Sequence, residues 1–179
     1  MPRLNVVEAD QATGNVKEIY DGYEEKLGRV INIFKGLGNS EAALTAYKAM
    51  SGALAAGDLS TEDREAIYLA VSEKNKCSYC VSAHTMIAKG AGMNEDQILE
   101  FRLGRSSDNK LNTLIEFTLK VIETNGVVAD ADIQGVRDAG YTDGQIAEVV
   151  AYISLATYTN LFNHVFDTEL DFPQAASLG

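Results

Sequence analysis

The chain has 179 residues, 46% of them hydrophobic and 23% charged, with a formal net charge of −11. That length and apolar content suit one domain with a single buried core, and they argue against general disorder. Fifteen basic residues against 26 acidic ones, with no basic run, disfavour nucleic acid as a partner, because binding a polyanion requires Lys and Arg to displace counterions; the same balance disfavours an anionic membrane surface.

The opening stretch, residues 1–14, lacks the continuous apolar segment of a secretory leader, and no stretch reaches the roughly 18 apolar residues of a membrane span. A reducing cytoplasm is the expected compartment. In that setting, two cysteines three positions apart point to catalysis or metal binding rather than to a structural staple.

The prolines, Pro2 and Pro173, lie near the two ends, so long helices are permitted between them. Val16, Ile19, Tyr20, Tyr23 and Leu27 share one face of a first helix. Ser40 caps an Ala-rich helix over 41–56 that Gly57 stops. Ser60 and Asp63 form a capping box, with Asp in place of the usual Glu, ahead of a helix through Glu65, Ile67, Leu69 and Val71. Asn75 interrupts, and a further helix runs from about Cys77 to Lys89, ending at Gly90 and Gly92. Asn94 caps a shorter helix. Asp108 starts a long one with Leu111, Leu114, Ile115, Thr118, Leu119 and Ile122 inward. Asp130 and Asp132 open another, closed by Gly140, and Thr142 caps the last, which carries Ile146, Val149, Val150, Ile153 and Leu161.

No β alternation is present beyond short runs at 6–8 and 126–128, so the expected fold is an all-α bundle in a single domain over 1–179. The segment 91–98 echoes 139–146: in both, Gly ends one helix and Asn or Thr caps the next. Recurrent turn chemistry and a duplicated helix-turn-helix unit both account for it. Residues 174–179 are expected to fray.

The chemistry concentrates at Glu65, Cys77, Cys80 and His84. Cys77, Cys80 and His84 are spaced by three and four residues, which puts all three side chains on one helix face. A helix starting near Cys77 aims its free N–H groups and positive dipole end at the thiols, favouring thiolate, and Lys74 and Lys76 act in the same direction. A thiolate attacks peroxides and disulfides, and a second Cys one turn away condenses with a sulfenic acid to form a disulfide. His84 supplies a proton acceptor and donor near neutral pH. If the two helices form an antiparallel hairpin around Asn75, Glu65 reaches His84. The motif has three other readings. Zinc needs a fourth ligand beyond two Cys and one His, and a structural site usually offers two separated pairs. A thioredoxin-like fold needs a βαβ context, whereas these flanks are helical. Two buried cysteines with a purely structural role are the third.

The Glu-x11-Cys-x-x-Cys-x-x-x-His pattern resembles that of alkylhydroperoxidase D (AhpD)-like proteins within the carboxymuconolactone decarboxylase superfamily, and residues 59–93 and 139–165 are similar to the family's core and C-terminal helices. The resemblance implies an AhpD-like helical bundle that assembles as a homo-oligomer (dimer, trimer or hexamer). It implies a thiol-dependent hydroperoxide reductase with an antioxidant role. Cys80 would attack a small-molecule hydroperoxide and Cys77 would resolve it as the more accessible sulfur. Glu65 and His84 would relay protons, and an external dithiol or thiol protein would supply electrons. Tyr79 stands where founding members often carry His; its phenol hydrogen-bonds but shuttles protons less readily near pH 7. No flavin, haem or metal is indicated. The alternatives are a decarboxylase of the same superfamily, whose members generally lack the Cys pair, and a non-catalytic redox switch. Tyr68 and Tyr158 read as core aromatics. His164, one turn after Asn160, reads as an exposed or singly hydrogen-bonded histidine, which the resemblance puts near a site mouth or a subunit interface.

Overall fold

The computed structural model describes residues 1–178, which form nine helices and no strand: α1 (Gly14–Leu27), α2 (Asn32–Leu37), α3 (Glu41–Ala55), α4 (Thr61–Lys74), α5 (Ser78–Gly90), α6 (Glu95–Arg102), α7 (Asn109–Glu123), α8 (Asp130–Asp138) and α9 (Asp143–Phe166). None of them is long and apolar enough to cross a membrane.

Helix α4 is the central rod. Its buried residues run almost without interruption, from Asp63 and Glu65 through Ala66, Ile67, Leu69, Ala70 and Val71 to Ser72, and it packs against α5, α6, α7 and α9. A helix enclosed on nearly every side lacks a solvated stripe, which is why Ile67, Leu69 and Val71 are fully buried. Around it Leu114, Ile115, Phe101, Val149 and Ala156 complete one core cluster. A second cluster is built from α1, α2 and α3, with Ile19, Tyr20, Phe34, Leu37 and Leu44, and it takes in Cys77, Tyr79 and Cys80. The cysteines therefore sit inside a packed core.

The caps carry the helix boundaries. Ser40, Ser60, Asn94, Asp108 and Thr142 each accept the expected backbone N–H. The echoed segments fold alike: Gly92 (φ 93°) and Gly140 (φ 94°) are left-handed, Met93 N–H donates to Ala88 O, and Tyr141 N–H donates to Val136 O. Both turns are closed helix C-termini of the Schellman type, followed by a capping box at Asn94–Gln97 or Thr142–Gln145.

Three features depart from the sequence reading. Helix α2 is new; it spans six residues without a side-chain cap, so no periodic signal announces it. Val150 and Leu161 lie on the outer face of α9 and are exposed, together with Val165. The tail is tied down rather than frayed where it crosses α5 and α6, since Ala175 N–H donates to Ser82 Oγ and Arg102 donates to Ala176 O; Gly179 lies outside the described residues.

Asp63 joins distant parts of the bundle. Its carboxylate accepts from Ser60 N–H (3.0 Å) and Ser60 Oγ (2.6 Å) and, through the other oxygen, from the buried Tyr141 hydroxyl at 2.6 Å. Burial and this carboxylate push the Tyr141 phenol well above its ordinary range, so it remains a donor. Tyr141→Phe keeps the ring and leaves one oxygen of a buried carboxylate without its donor. The variant should lose about 1–3 kcal/mol, the cost of a hydrogen bond to a charged group, read as a lower urea midpoint at unchanged m value.

Candidate active site

The turn between α4 and α5 places the cysteines. Lys76 adopts a left-handed conformation (φ 56°), Lys76 N–H donates to Glu73 O at 3.0 Å, and Cys77 N–H donates to Ser72 O at 2.9 Å. This is a Schellman closure with Lys where Gly is usual. The residue that ends this closure also caps the next helix: Cys77 Sγ accepts from Cys80 N–H at 3.3 Å. Helix α5 thus begins at Ser78, one residue later than Cys77 itself. Cys77 and Cys80 are joined as a disulfide with their Cα atoms 5.3 Å apart. Both are buried, at 2% and 4% exposure, so neither is more accessible than the other by surface area alone.

Because this turn is tight, α4 and α5 pack as an antiparallel hairpin and Glu65 meets His84. Glu65 Oε2 lies 2.8 Å from His84 Nδ1. A carboxylate accepts, so Nδ1 carries the proton and Nε2 is the nitrogen left for exchange. The His84 ring also stacks on Tyr68, with centroids 4.0 Å apart and planes 15° from parallel. Burial raises the Tyr68 phenol far out of the neutral range. Tyr68, read as core from the sequence, is an uncharged platform that fixes the imidazole plane.

Helix α9 supplies the other wall, and here the sequence reading missed a residue. Asn163 is buried and its Nδ2 donates to Cys80 Sγ at 3.2 Å. Its Oδ1 accepts from Thr168 Oγ1 at 2.6 Å, which fixes the amide orientation. One turn earlier, Asn160 Nδ2 donates to Ser72 Oγ (3.2 Å) and Asn160 Oδ1 accepts from Asn75 Nδ2 (2.9 Å). His164 Nε2 donates to Asn75 O at 2.8 Å; it is exposed and singly bonded, beside the site mouth. The signal in the sequence was a cluster of amides, Asn160 and Asn163, on an otherwise apolar helix.

Two candidate residues are engaged elsewhere. Tyr79 makes no hydrogen bond to a sulfur. Its buried hydroxyl donates to Asp171 Oδ1 at 2.8 Å and accepts from Ile33 N–H at 3.4 Å, and its ring packs edge-on to Phe172. Burial and Asp171 hold the phenol well above its ordinary value. Tyr79 ties α5 to α2 and to the chain after α9. Lys74 does not bias the thiols either, because its ammonium pairs with Glu123 at 2.6 Å.

An opening borders Cys77. A cleft of about 200 Å³ is lined by Arg3, Lys76, Cys77, Asn163, His164 and Asp167, among others, and Cys80 is not part of its wall.

Residues 41–114, which contain Glu65, both cysteines and His84, match the carboxymuconolactone decarboxylase family. No curated protein matches the sequence. Among solved structures, the chain is similar to an alkylhydroperoxidase AhpD core, an uncharacterized peroxidase-related protein from Ralstonia eutropha JMP134 (23% identity, 95% of this chain and 92% of that one, TM-score 0.87). It is similar to an uncharacterized peroxidase-related protein from Silicibacter sp. TM1040 (24% identity, 94% and 91%, TM-score 0.83). It also resembles the debrominase Bmp8 in complex with 2,3,4-tribromopyrrole (17% identity, 96% and 94%, TM-score 0.77). The family match covers the motif-bearing helices and the fold match spans nearly the whole chain: over residues 41–114 the chain is similar to the carboxymuconolactone decarboxylase family, and its fold is AhpD-like.

Proposed function

We propose that this protein is a thiol-dependent hydroperoxide reductase. The observation that carries the reading is the buried Cys77–Cys80 disulfide, with a Glu65–His84 pair on the same helix hairpin and an amide donor on Cys80. In the reduced protein His84 Nε2, its ring held by Glu65 and Tyr68, takes the Cys80 thiol proton. Asn163 Nδ2 steadies the resulting thiolate. The thiolate attacks the terminal oxygen of the hydroperoxide, the O–O bond breaks, and the departing alkoxide takes the proton back from His84 as alcohol. Cys80 is left as sulfenic acid. Cys77 attacks that sulfur, water leaves with the Cys77 proton, and the disulfide results. An external thiol then restores both cysteines. Cys80 is assigned as the attacking sulfur because Asn163 donates to it, and because it lies one turn from His84.

The outer face of α9, with Val150, Leu161 and Val165 exposed, supports assembly as a homo-oligomer. The negative charge and the absence of any basic run favour small-molecule partners over nucleic acid. The decarboxylase reading makes no use of the disulfide. The debrominase of the same fold is the reason to include a halogenated pyrrole in the substrate panel.

Cys80→Ser should abolish dithiol-dependent consumption of cumene hydroperoxide, while Cys77→Ser should stop after one oxidation and leave a dimedone-reactive sulfenic acid on Cys80. Full turnover by Cys80→Ser contradicts the assignment; a disulfide that forms and reverses without peroxide turnover supports the redox switch instead. Glu65→Gln should cut kcat by roughly a hundredfold, the lower range for loss of a positioned acid–base group, with the fold retained by circular dichroism. Asn163→Leu removes the donor at similar volume. In that variant the pH at which Cys80 alkylation by iodoacetamide reaches half its plateau rate should rise by about one pH unit, the equivalent of a weak hydrogen bond to a charged sulfur.

A further inference from the structure

The cleft at Cys77 differs in charge from the rest of the molecule. The chain carries a net charge of −11, yet two cations, Arg3 and Lys76, line this small opening. Among the described residues neither is in an ion pair, whereas Asp167, the one carboxylate in the wall, faces the N-terminal ammonium at 3.8 Å. Both cations are placed by backbone contacts. Arg3 N–H donates to Phe166 O at 2.8 Å, which lays the N-terminal segment over the end of α9. Lys76 holds the left-handed position of the α4–α5 turn, directly before Cys77. The cleft touches Cys77 and not Cys80.

We propose that this cleft is the reductant site, and that it takes a small thiol bearing a carboxylate, held by Arg3 and Lys76 with its sulfur against Cys77. The proposal rests on the thiol-redox reading above and names the class of its electron donor. The donor thiolate attacks Cys77 Sγ and the Cys77–Cys80 bond breaks. The electron pair leaves on Cys80 Sγ, where Asn163 Nδ2 donates a hydrogen bond. Thiol–disulfide exchange runs faster when the leaving sulfur is the better-stabilised thiolate, so the amide on Cys80 and the opening on Cys77 favour the same direction of attack. A second donor thiolate then attacks the donor's own sulfur in the mixed disulfide. The donor leaves as its symmetric disulfide, Cys77 as a thiolate, and the two thiolates take up the two protons released by the donor thiols. His164, whose Nε2 is bound to Asn75 O, forms part of the rim.

The test measures reduction of the full-length oxidised protein by three thiols: 3-mercaptopropionate, 2-mercaptoethanol and cysteamine. Free cysteines are counted by alkylation and mass spectrometry, and each rate is divided by the same thiol's rate with a small neutral disulfide, bis(2-hydroxyethyl) disulfide, which corrects for thiolate fraction and for intrinsic nucleophilicity. The overall negative charge alone would disfavour the anionic donor. The expected order is the reverse, with 3-mercaptopropionate fastest and cysteamine slowest. Arg3→Gln/Lys76→Gln should bring the three rates together, with a loss of about fivefold to tenfold for the anionic donor, consistent with two exposed charge contacts, and added salt should shrink the preference. Normalised rates that are equal for the three donors, or an order unchanged in the double variant, overturn the proposal. Cumene hydroperoxide turnover with neutral dithiothreitol is measured in parallel. If it persists when the charge order fails, only the donor class is wrong. If it is absent while the charge order holds, the peroxidase reading is wrong and the thiol site stands.

Discussion

The site depends on the closure of the α4–α5 turn. Cys77 N–H donates to Ser72 O, Lys76 takes the left-handed conformation, and Cys77 then caps α5 through its own sulfur. A longer loop would leave the cysteines outside the core and Glu65 out of reach of His84. The three-residue turn forces α5 back along α4, so the carboxylate and the imidazole, 19 positions apart in sequence, meet at 2.8 Å. Putting Lys rather than Gly at a left-handed position costs about 1 kcal/mol or more. The turn is held from α9 by three polar contacts, through Asn160 and His164.

Burial then shapes the chemistry. Three groups around the sulfurs have a partner that fixes their role: Glu65 accepts from His84, the His84 ring stacks on Tyr68, and Thr168 locks the amide of Asn163. In a low-dielectric setting such oriented dipoles act more strongly than they would in water. The chain beyond α9 belongs to the same arrangement. Asp171 accepts from the Tyr79 hydroxyl and from Asn32 N–H, and Arg29 donates to Asp171 O while its guanidinium lies over the Phe172 ring. That bracing holds the first turn of α5 against α2.

Much of this was legible from local spacing. Helix periods, the Ser60–Asp63 box and the repeated glycine turns are short-range features, and the structure reproduces them. The Cys77–Cys80–His84 face follows from helical geometry, and its meeting with Glu65 followed once the hairpin was assumed. What spacing does not show is pairing across the bundle. Asn163 reaches Cys80 from 83 positions away, and Tyr79 turns from the sulfurs to an aspartate 92 positions on. The sequence reading treated Tyr79 by analogy with the residue it replaces, whereas its partner is set by tertiary packing. Helix α2 and the outward Val150 and Leu161 were missed for related reasons: the first is too short to show a period, and apolar residues on an outer face cannot be told from core residues by type.

The central claim is that Cys80 and Cys77 exchange electrons with a hydroperoxide. The most direct measurement is a single-turnover titration, in which the fully reduced protein is mixed with substoichiometric cumene hydroperoxide without added thiol, and peroxide loss and disulfide formation are followed together. The account predicts that one peroxide disappears for each Cys77–Cys80 disulfide formed, much faster than in the same protein unfolded in urea. A disulfide that forms no faster in the folded protein than in the unfolded chain, or peroxide loss without the disulfide, would contradict it.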